Sequence, residues 1–261
     1  MIKSQNLQKV MLDFTYVSNT EAIASCIKET GEQNVVFYTE ECNAEGVLYL
    51  TDDAQKAKHA REKGYAVLIY LHNLNTEVDF KGFQYFIEGF EDADNVYYER
   101  IYRREKKLPW IIGETHRVII REMTLEDTDA LYKLYEDKSV TAFMEDLPEN
   151  KEEEKVYIQE YIDKMYGVFG FGMWLIELKD KAQVIGRIGF QNSEETEEVE
   201  LGFMMMPAYQ KQGLAYEAGV AALQYMAEEF PDIHIMAKCR PDNTAAVALC
   251  GKLGVEVRFS E

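Results

Sequence analysis

One short stretch of this sequence has the residue types and spacing to hold a phosphate. An apolar run ends at Pro207, and Gln210-Lys211-Gln212-Gly213-Leu214-Ala215 then leads into an amphipathic segment. A helix that begins here leaves its first amide N–H groups without intrahelical partners and points the positive end of its dipole at the loop. Such an end is a ready site for phosphate oxygens. Gly213 and Ala215 have little or no side chain, so a pyrophosphate can approach the backbone, and Lys211 adds a full charge.

These residues need a strand before them and a helix after them, and the pattern supplies both. Alternating or apolar runs predict strands near 116–122, 172–178, 183–191, 199–206, 233–238 and 255–259. Helices are expected over about 124–136, 152–166, 213–229 and 244–253, the first opened by Thr124 with Asp127 where a capping-box acid would sit. The order is β-α-α-β-β-β-α-β-α-β. Gly167-x-x-Gly170-x-Gly172 lies between a helix and a strand, the reverse of a dinucleotide fingerprint, and reads as a turn into Trp174.

The first half reads differently. Leu7, Val10, Met11 and Phe14 recur at helical spacing, as do Ile23, Cys26 and Ile27. Strands are expected over 34–38, 47–51 and 66–71, with a helix between the last two that Asp52 or Asp53 can cap and Gly64 can end. A β-α-β order implies a parallel sheet under helices. Charge and pattern shift near the basic 100–109 segment, which divides the chain into domains 1–111 and 112–261.

Composition narrows the function classes. The net charge is −19; residues 1–110 carry 18 acids and 13 bases, residues 111–261 carry 29 and 15. So acidic a surface repels nucleic acid and attracts amines, or serves solubility alone. Cys26, Cys42, Cys239 and Cys250 form no C-x-x-C pair and the four histidines are dispersed, so neither disulfides nor a metal site is expected. No apolar run of membrane-spanning length is present, and the protein is expected in the cytoplasm.

The run Glu200-Leu-Gly-Phe-Met-Met-Met-Pro-Ala-Tyr-Gln-Lys-Gln-Gly-Leu-Ala-Tyr-Glu-Ala resembles the coenzyme A pyrophosphate loop of GNAT acetyltransferases, in the branch that includes the ribosomal-protein N-terminal acetyltransferases. A second block, Asn243-Thr-Ala-Ala-Val-Ala-Leu-Cys-Gly-Lys-Leu-Gly-Val, is similar to that superfamily's later signature. The resemblance covers about residues 115–261 and implies a GNAT fold, a mixed and mostly antiparallel sheet flanked by helices. The implied reaction moves an acetyl group from acetyl-CoA, as cosubstrate and without a metal, to a primary amine of a small cationic molecule or a peptide N-terminus.

By the same resemblance, backbone groups of Met204, Met205 and Met206 would meet the pantetheine arm. The amides from Lys211 to Ala215 would hold the pyrophosphate, with Gln210 opening the motif, and Asn243 would touch the coenzyme. Glu200 lies where many members place a general base, and Glu198 shares its face; Glu200 could instead only organise the site. A strand N–H near Met204 would polarise the thioester carbonyl. Cys250 stands where many members have the tyrosine that protonates the leaving thiolate, and could donate or simply fill the core. Ala246 and Val255 also depart from the pattern, and the chain stops soon after its last strand. A seventh, closing strand is therefore not expected, and a homodimer could fill the place. With the tyrosine lost, a noncatalytic coenzyme A-binding sensor is the alternative.

The segments expected to wall the acceptor site hold Glu145, Asp146, Glu149, Glu152, Glu153 and Glu154, with Glu194, Glu195, Glu197 and Glu198 before the strand of Glu200. They would favour a cationic amine or form a solvated face. Phe143, Tyr166, Phe169, Phe171 and Trp174 could line a pocket or be core. The first domain loosely resembles the late part of a haloacid-dehalogenase-like phosphatase, with Asp52 and Asp53 at the acidic pair. It lacks an upstream Asp-x-Asp nucleophile, so a noncatalytic Rossmann-like module is expected.

Overall fold

The computed structural model describes residues 6–31, 34–39, 42–136, 147–193, 195 and 197–259. The chain forms two compact units, Met1–Leu108 and Pro109–Glu261. No helix among the described residues is long and apolar enough to cross a membrane.

The first unit is a parallel sheet in the order β2-β1-β3-β4-β5, built from β1 (Lys9–Leu12), β2 (Val35–Phe37), β3 (Val47–Thr51), β4 (Ala66–Tyr70) and β5 (Phe86–Ile87). Helices α1 (Thr20–Gly31) and α3 (Asn95–Glu105) pack Ile27, Tyr98 and Tyr102 on one face, over Val10, Leu48 and Leu68. Helix α2 (Ala54–Glu62) packs Ala57 and Ala60 on the other, over Tyr49, Val67 and Ile69. Helices on both faces of a parallel sheet make this a doubly wound arrangement. The 7, 10, 11, 14 spacing is not a helix, contrary to expectation. Val10, Met11 and Leu12 form a strand hydrogen-bonded on both sides and buried on both faces, and such a strand shows no alternation. Asp53, not Asp52, caps α2, accepting from the amides of Gln55 and Lys56. Asp52 is fully buried and instead accepts from the amides of Thr15, Tyr16 and Val17, fixing the loop after β1.

The second unit is a seven-stranded sheet in the order β12-β11-β10-β9-β8-β7-β6. Its strands are β6 (Ile111–Glu114), β7 (Val118–Arg121), β8 (Met173–Leu178), β9 (Gln183–Asn192), β10 (Glu198–Met205), β11 (His234–Cys239) and β12 (Glu256–Phe259). Pairing is antiparallel from β6 to β10 and parallel from β10 to β12. Strand β6 was not expected; a boundary at 111/112 would cut it after its first residue. It brings the sheet to seven strands from the β7 side, while β12 forms the opposite edge.

Side chains of alternate residues leave the sheet on opposite faces. On one face α6 (Leu214–Glu229) packs Tyr225 edge-on against Trp174, which stacks the same way on Phe190. The other face is covered by α4 (Thr128–Tyr135), by α5 (Lys151–Tyr161) and by the π-helical turn Ile162–Phe169 that continues α5 and ends at Gly170, in the left-handed region at φ +77°. Tyr166, Phe171 and Trp174 are core; Phe169 is partly exposed. Between Thr124 and Asp127 the expected capping box is present. Asp127 also receives Arg121 through two bonds, at 2.7 and 2.9 Å, while Glu177 takes a third at 2.7 Å. This buried triad locks β7, β8 and the start of α4 together, and the two carboxylates hold the Arg121 guanidinium well above its ordinary value against the pull of burial.

Candidate functional site

A split in the sheet organises the site. β10 pairs with β9 along Val199–Met205 but with β11 only at Glu198, Val199 and Glu200. Beyond Glu200 the two strands part; β11 runs on to Cys239 with its opposite edge paired to β12 from Met236. The β10 edge from Leu201 to Met205 therefore faces a wedge, and its peptide groups on that side have no strand partner. Met204 and Met205 are buried and Met206 half-buried, its amide bonded to the carbonyl of Ile185 at 2.9 Å. The methionine side chains thus pack while the wedge is lined by backbone.

At the open end of β10 the chain makes a 3₁₀ turn, Pro207–Tyr209, then the loop into α6. Gln210 closes the turn, its side chain donating to the Met205 carbonyl at 2.9 Å. Lys211 and Gly213 both have positive φ, +58° and +80°, which swings the loop backbone outward. Lys211, Gln212 and Gly213 are exposed, Ala215 is half-buried and Leu214 is buried beneath them. No side chain caps α6, and among the described residues no intrachain acceptor is seen for the amides from Lys211 to Ala215. Arg117 braces the loop by donating to the Gln212 carbonyl at 3.0 Å, held by Glu217 at 2.7 Å. A cleft of about 340 Å³ lined by Arg117, Lys179, Lys181, Tyr209 and Gln212 opens beside it.

Glu200 is the last β10 residue paired with β11, so it stands at the vertex of the wedge, partly exposed, with Lys238 Nζ 3.8 Å away. Glu198 is engaged otherwise. Arg258 grips both its oxygens at 2.7 and 2.9 Å and Ser193 donates a third bond. Burial would raise its carboxyl, but these partners win and hold it below the usual range. A carboxylate so occupied is a poor proton acceptor. Cys250 has no exposed surface; burial, then neighbouring Cys239, push its thiol up to about 12. It packs in the core, the simpler of its two readings. Asn243 caps α7 (Thr244–Leu253), its Oδ1 accepting from the Ala246 amide at 3.2 Å.

Of the acids expected to wall the acceptor, Glu149, Glu152 and Glu153 are exposed, and Glu152 pairs with Lys155. Phe143, Glu145, Asp146 and Glu194 lie outside the described residues. Two residues stand out: Arg187, not singled out in the sequence, and Glu154, named there only among the acids expected to wall the acceptor. Arg187, on β9 directly across from Met204, faces α4 and α5. Glu154, on α5, is nearly fully buried; burial pushes its carboxyl up while Arg187 pulls it down. The signal for Arg187 was a lone cation within the otherwise uncharged run 184–190. Among the described residues no group of three or more His, Cys, Asp or Glu is placed to hold a metal.

Residues 117–256, over half of the chain, match the model of the acetyltransferase (GNAT) domain family. The chain is similar to the uncharacterized N-acetyltransferase YnaD of Bacillus subtilis, 28% identical over 141 residues that span 54% of this chain and 80% of that protein. Among solved structures it resembles the ribosomal-protein-S5-alanine acetyltransferase of Vibrio fischeri (15% identity, TM-score 0.49, 54% of this chain and 81% of that one). It also resembles the ribosomal L7/L12 α-N-protein acetyltransferase RimL in complex with coenzyme A (23% identity, TM-score 0.47, 55% and 82%).

Proposed function

Since the chain belongs to the GNAT acetyltransferase family, we propose that its second unit transfers acetyl from acetyl-CoA to a primary amine, of a small molecule or a peptide N-terminus, with Glu200 as general base. The observation that carries this is the wedge at Glu200 opening toward a loop of unpartnered amides. The amides from Lys211 to Ala215 and the charge of Lys211 suit a diphosphate. The free β10 edge, where the register turns the peptide groups of Leu201, Phe203 and Met205 into the wedge, suits the amide-bearing pantetheine arm, much as it would suit another strand. Gln210 and Asn243 serve mainly by shaping the two helix starts that flank the coenzyme.

The acceptor arrives as an ammonium and has no lone pair until it loses a proton. Glu200, through water at the vertex, takes that proton. The nitrogen attacks the thioester carbonyl while a β10 amide near Met204 stabilises the oxyanion. The C–N bond forms, the C–S bond breaks, the sulfur leaves as a thiolate, and the second proton shed by the nitrogen passes to that thiolate, directly or through water. A thiol with pKa of about 8.5 needs little help from an acid near neutral pH, so the loss of a tyrosine at Cys250 does not stop the reaction. The acidic surface attracts the ammonium form.

The first unit is read as a noncatalytic module. Asp13 is bound by Tyr49 and by Lys56 at 2.6 Å, and Asp52 by three amides, so neither carboxylate is free to attack a phosphate. A homodimer would cover the open edge of β12, where Phe259 is exposed.

Thiol release from acetyl-CoA over an amine panel tests the reading. Glu200→Gln should lower kcat by about 100-fold or more while acetyl-CoA binding holds within a few-fold. Unchanged turnover across pH removes Glu200 from the mechanism, and no release with any amine defeats the transferase.

A further inference from the structure

We propose that the acceptor carries a carboxylate close to its reacting nitrogen, and that Arg187 binds that carboxylate. This deepens the transferase reading above and rests on it. Arg187 stands opposite Met204 in the β9–β10 register, about 5 Å from the strand on which the acyl group would lie. It leaves the sheet on the face of Glu200, because Gln191, the β9 partner of Glu200, and Arg187 share parity. Of its N–H groups only Nη1 has a hydrogen-bond partner among the described residues, the hydroxyl of Tyr135 at 3.1 Å. Its Nε is buried without one. No carboxylate among the described residues comes within ion-pair distance.

The surroundings sharpen the point. Glu154, Tyr161 and Tyr166, from α5 and the turn that continues it, feel the Arg187 charge. The tyrosines stay neutral, and burial pushes Glu154 toward its neutral form. A guanidinium is permanently charged and presents a planar fork suited to two oxygens. Here that fork is half-buried, anchored by one tyrosine and otherwise unused among the described residues, one strand from the proposed acyl position. A carboxylate supplies what it lacks. An amine that also bears a carboxylate is a zwitterion without net charge, so the overall negative field of the protein does not exclude it.

The test uses the full chain and matched pairs that differ only in this group: L-methionine with L-methioninamide, and L-phenylalanine with L-phenylalaninamide. Thiol release gives kcat and KM for each, and calorimetry gives binding of the acids and of coenzyme A. Comparing acid-to-amide ratios between wild type and variants cancels the intrinsic difference in amine basicity. Arg187→Met should raise KM for the acids by about 30-fold or more while changing the amides less than about threefold, and Arg187→Lys should fall between. Tyr135→Phe, which frees the guanidinium without removing it, should preserve the acid preference, and with Arg187→Lys it keeps the test alive if Arg187→Met fails to fold. An unchanged acid-to-amide ratio with coenzyme A binding intact overturns the inference and leaves Arg187 as a structural counter-charge to Glu154. A wild type that favours the amide in every pair overturns it equally. Loss of coenzyme A binding by the wild type itself would instead sink the transferase reading.

Discussion

Replacing Gly213 by glutamate and, separately, by glutamine isolates the electrostatic part of diphosphate binding. A Cβ built at Gly213 would lie 3.6 Å from Arg117 Nη2, an ordinary contact, so the side chain has room. Both variants bear the strain of a non-glycine residue at φ +80°, about 1–2 kcal/mol, which acts on stability and cancels between them. What differs is one negative charge roughly 5 Å from two phosphate charges. Coulomb's law gives about 0.8 kcal/mol per pair at the dielectric of water, so about 1.7 kcal/mol in all, and several-fold more at an effective dielectric of about 20. Arg117 relieves little of this, since Glu217 already holds it at 2.7 Å. The glutamate variant should therefore bind coenzyme A at least about 15-fold more weakly than the glutamine variant, and the gap should narrow as salt rises. Isothermal calorimetry on the two variants, with circular dichroism to show that both fold, measures it. Equal affinities of the two variants would mean that no diphosphate sits at this turn.

Arg121→Met should destabilise the second unit by about 3–5 kcal/mol in denaturant melts, because Asp127 and Glu177 would remain buried without their partner. Cys250→Ala should leave kcat within about twofold, as a core residue would; a tenfold fall would restore it as the acid. Acid should weaken the same unit through Glu198 and Glu217. Each has burial working against it, but Ser193 and Arg258 in one case, and Thr115 and Arg117 in the other, depress its folded value. Their contribution is thus present above the unfolded carboxyl value of about 4.3 and is lost as pH falls through the lower folded values. Removing the arginines by Arg258→Met and Arg117→Met should flatten that dependence in pH-resolved thermal melts.

The part of the site legible in the sequence is the part written locally. Gln210 to Ala215 and Asn243 to Gly254 are contiguous, and a helix start needs only its own residues to be recognised. The wedge was less visible, because it depends on β10 and β11 parting after Glu200 and Met236, which is decided across the sheet and not along either strand. Arg187 and Glu154 were missed as a pair for the same reason, since they meet only after α5 has folded over β9. Glu198 and Glu200 look equivalent along the strand, yet Arg258, sixty residues away, takes one and not the other. Strand β1 misled because burial on both faces erases the alternation that marks a strand at a surface.

The gap between β10 and β11 also sets a limit on what can enter the sheet. An outer border strand invites any extended chain, including a second protein's. This inner border does not, because β11 flanks it and rejoins β10 at Glu200, leaving a wedge and not an open edge. The opening narrows to its vertex at Glu200, so an extended group entering from the loop side ends there. The fold thereby exposes main-chain donors and acceptors in its middle without offering a nucleus for stacking one molecule on another.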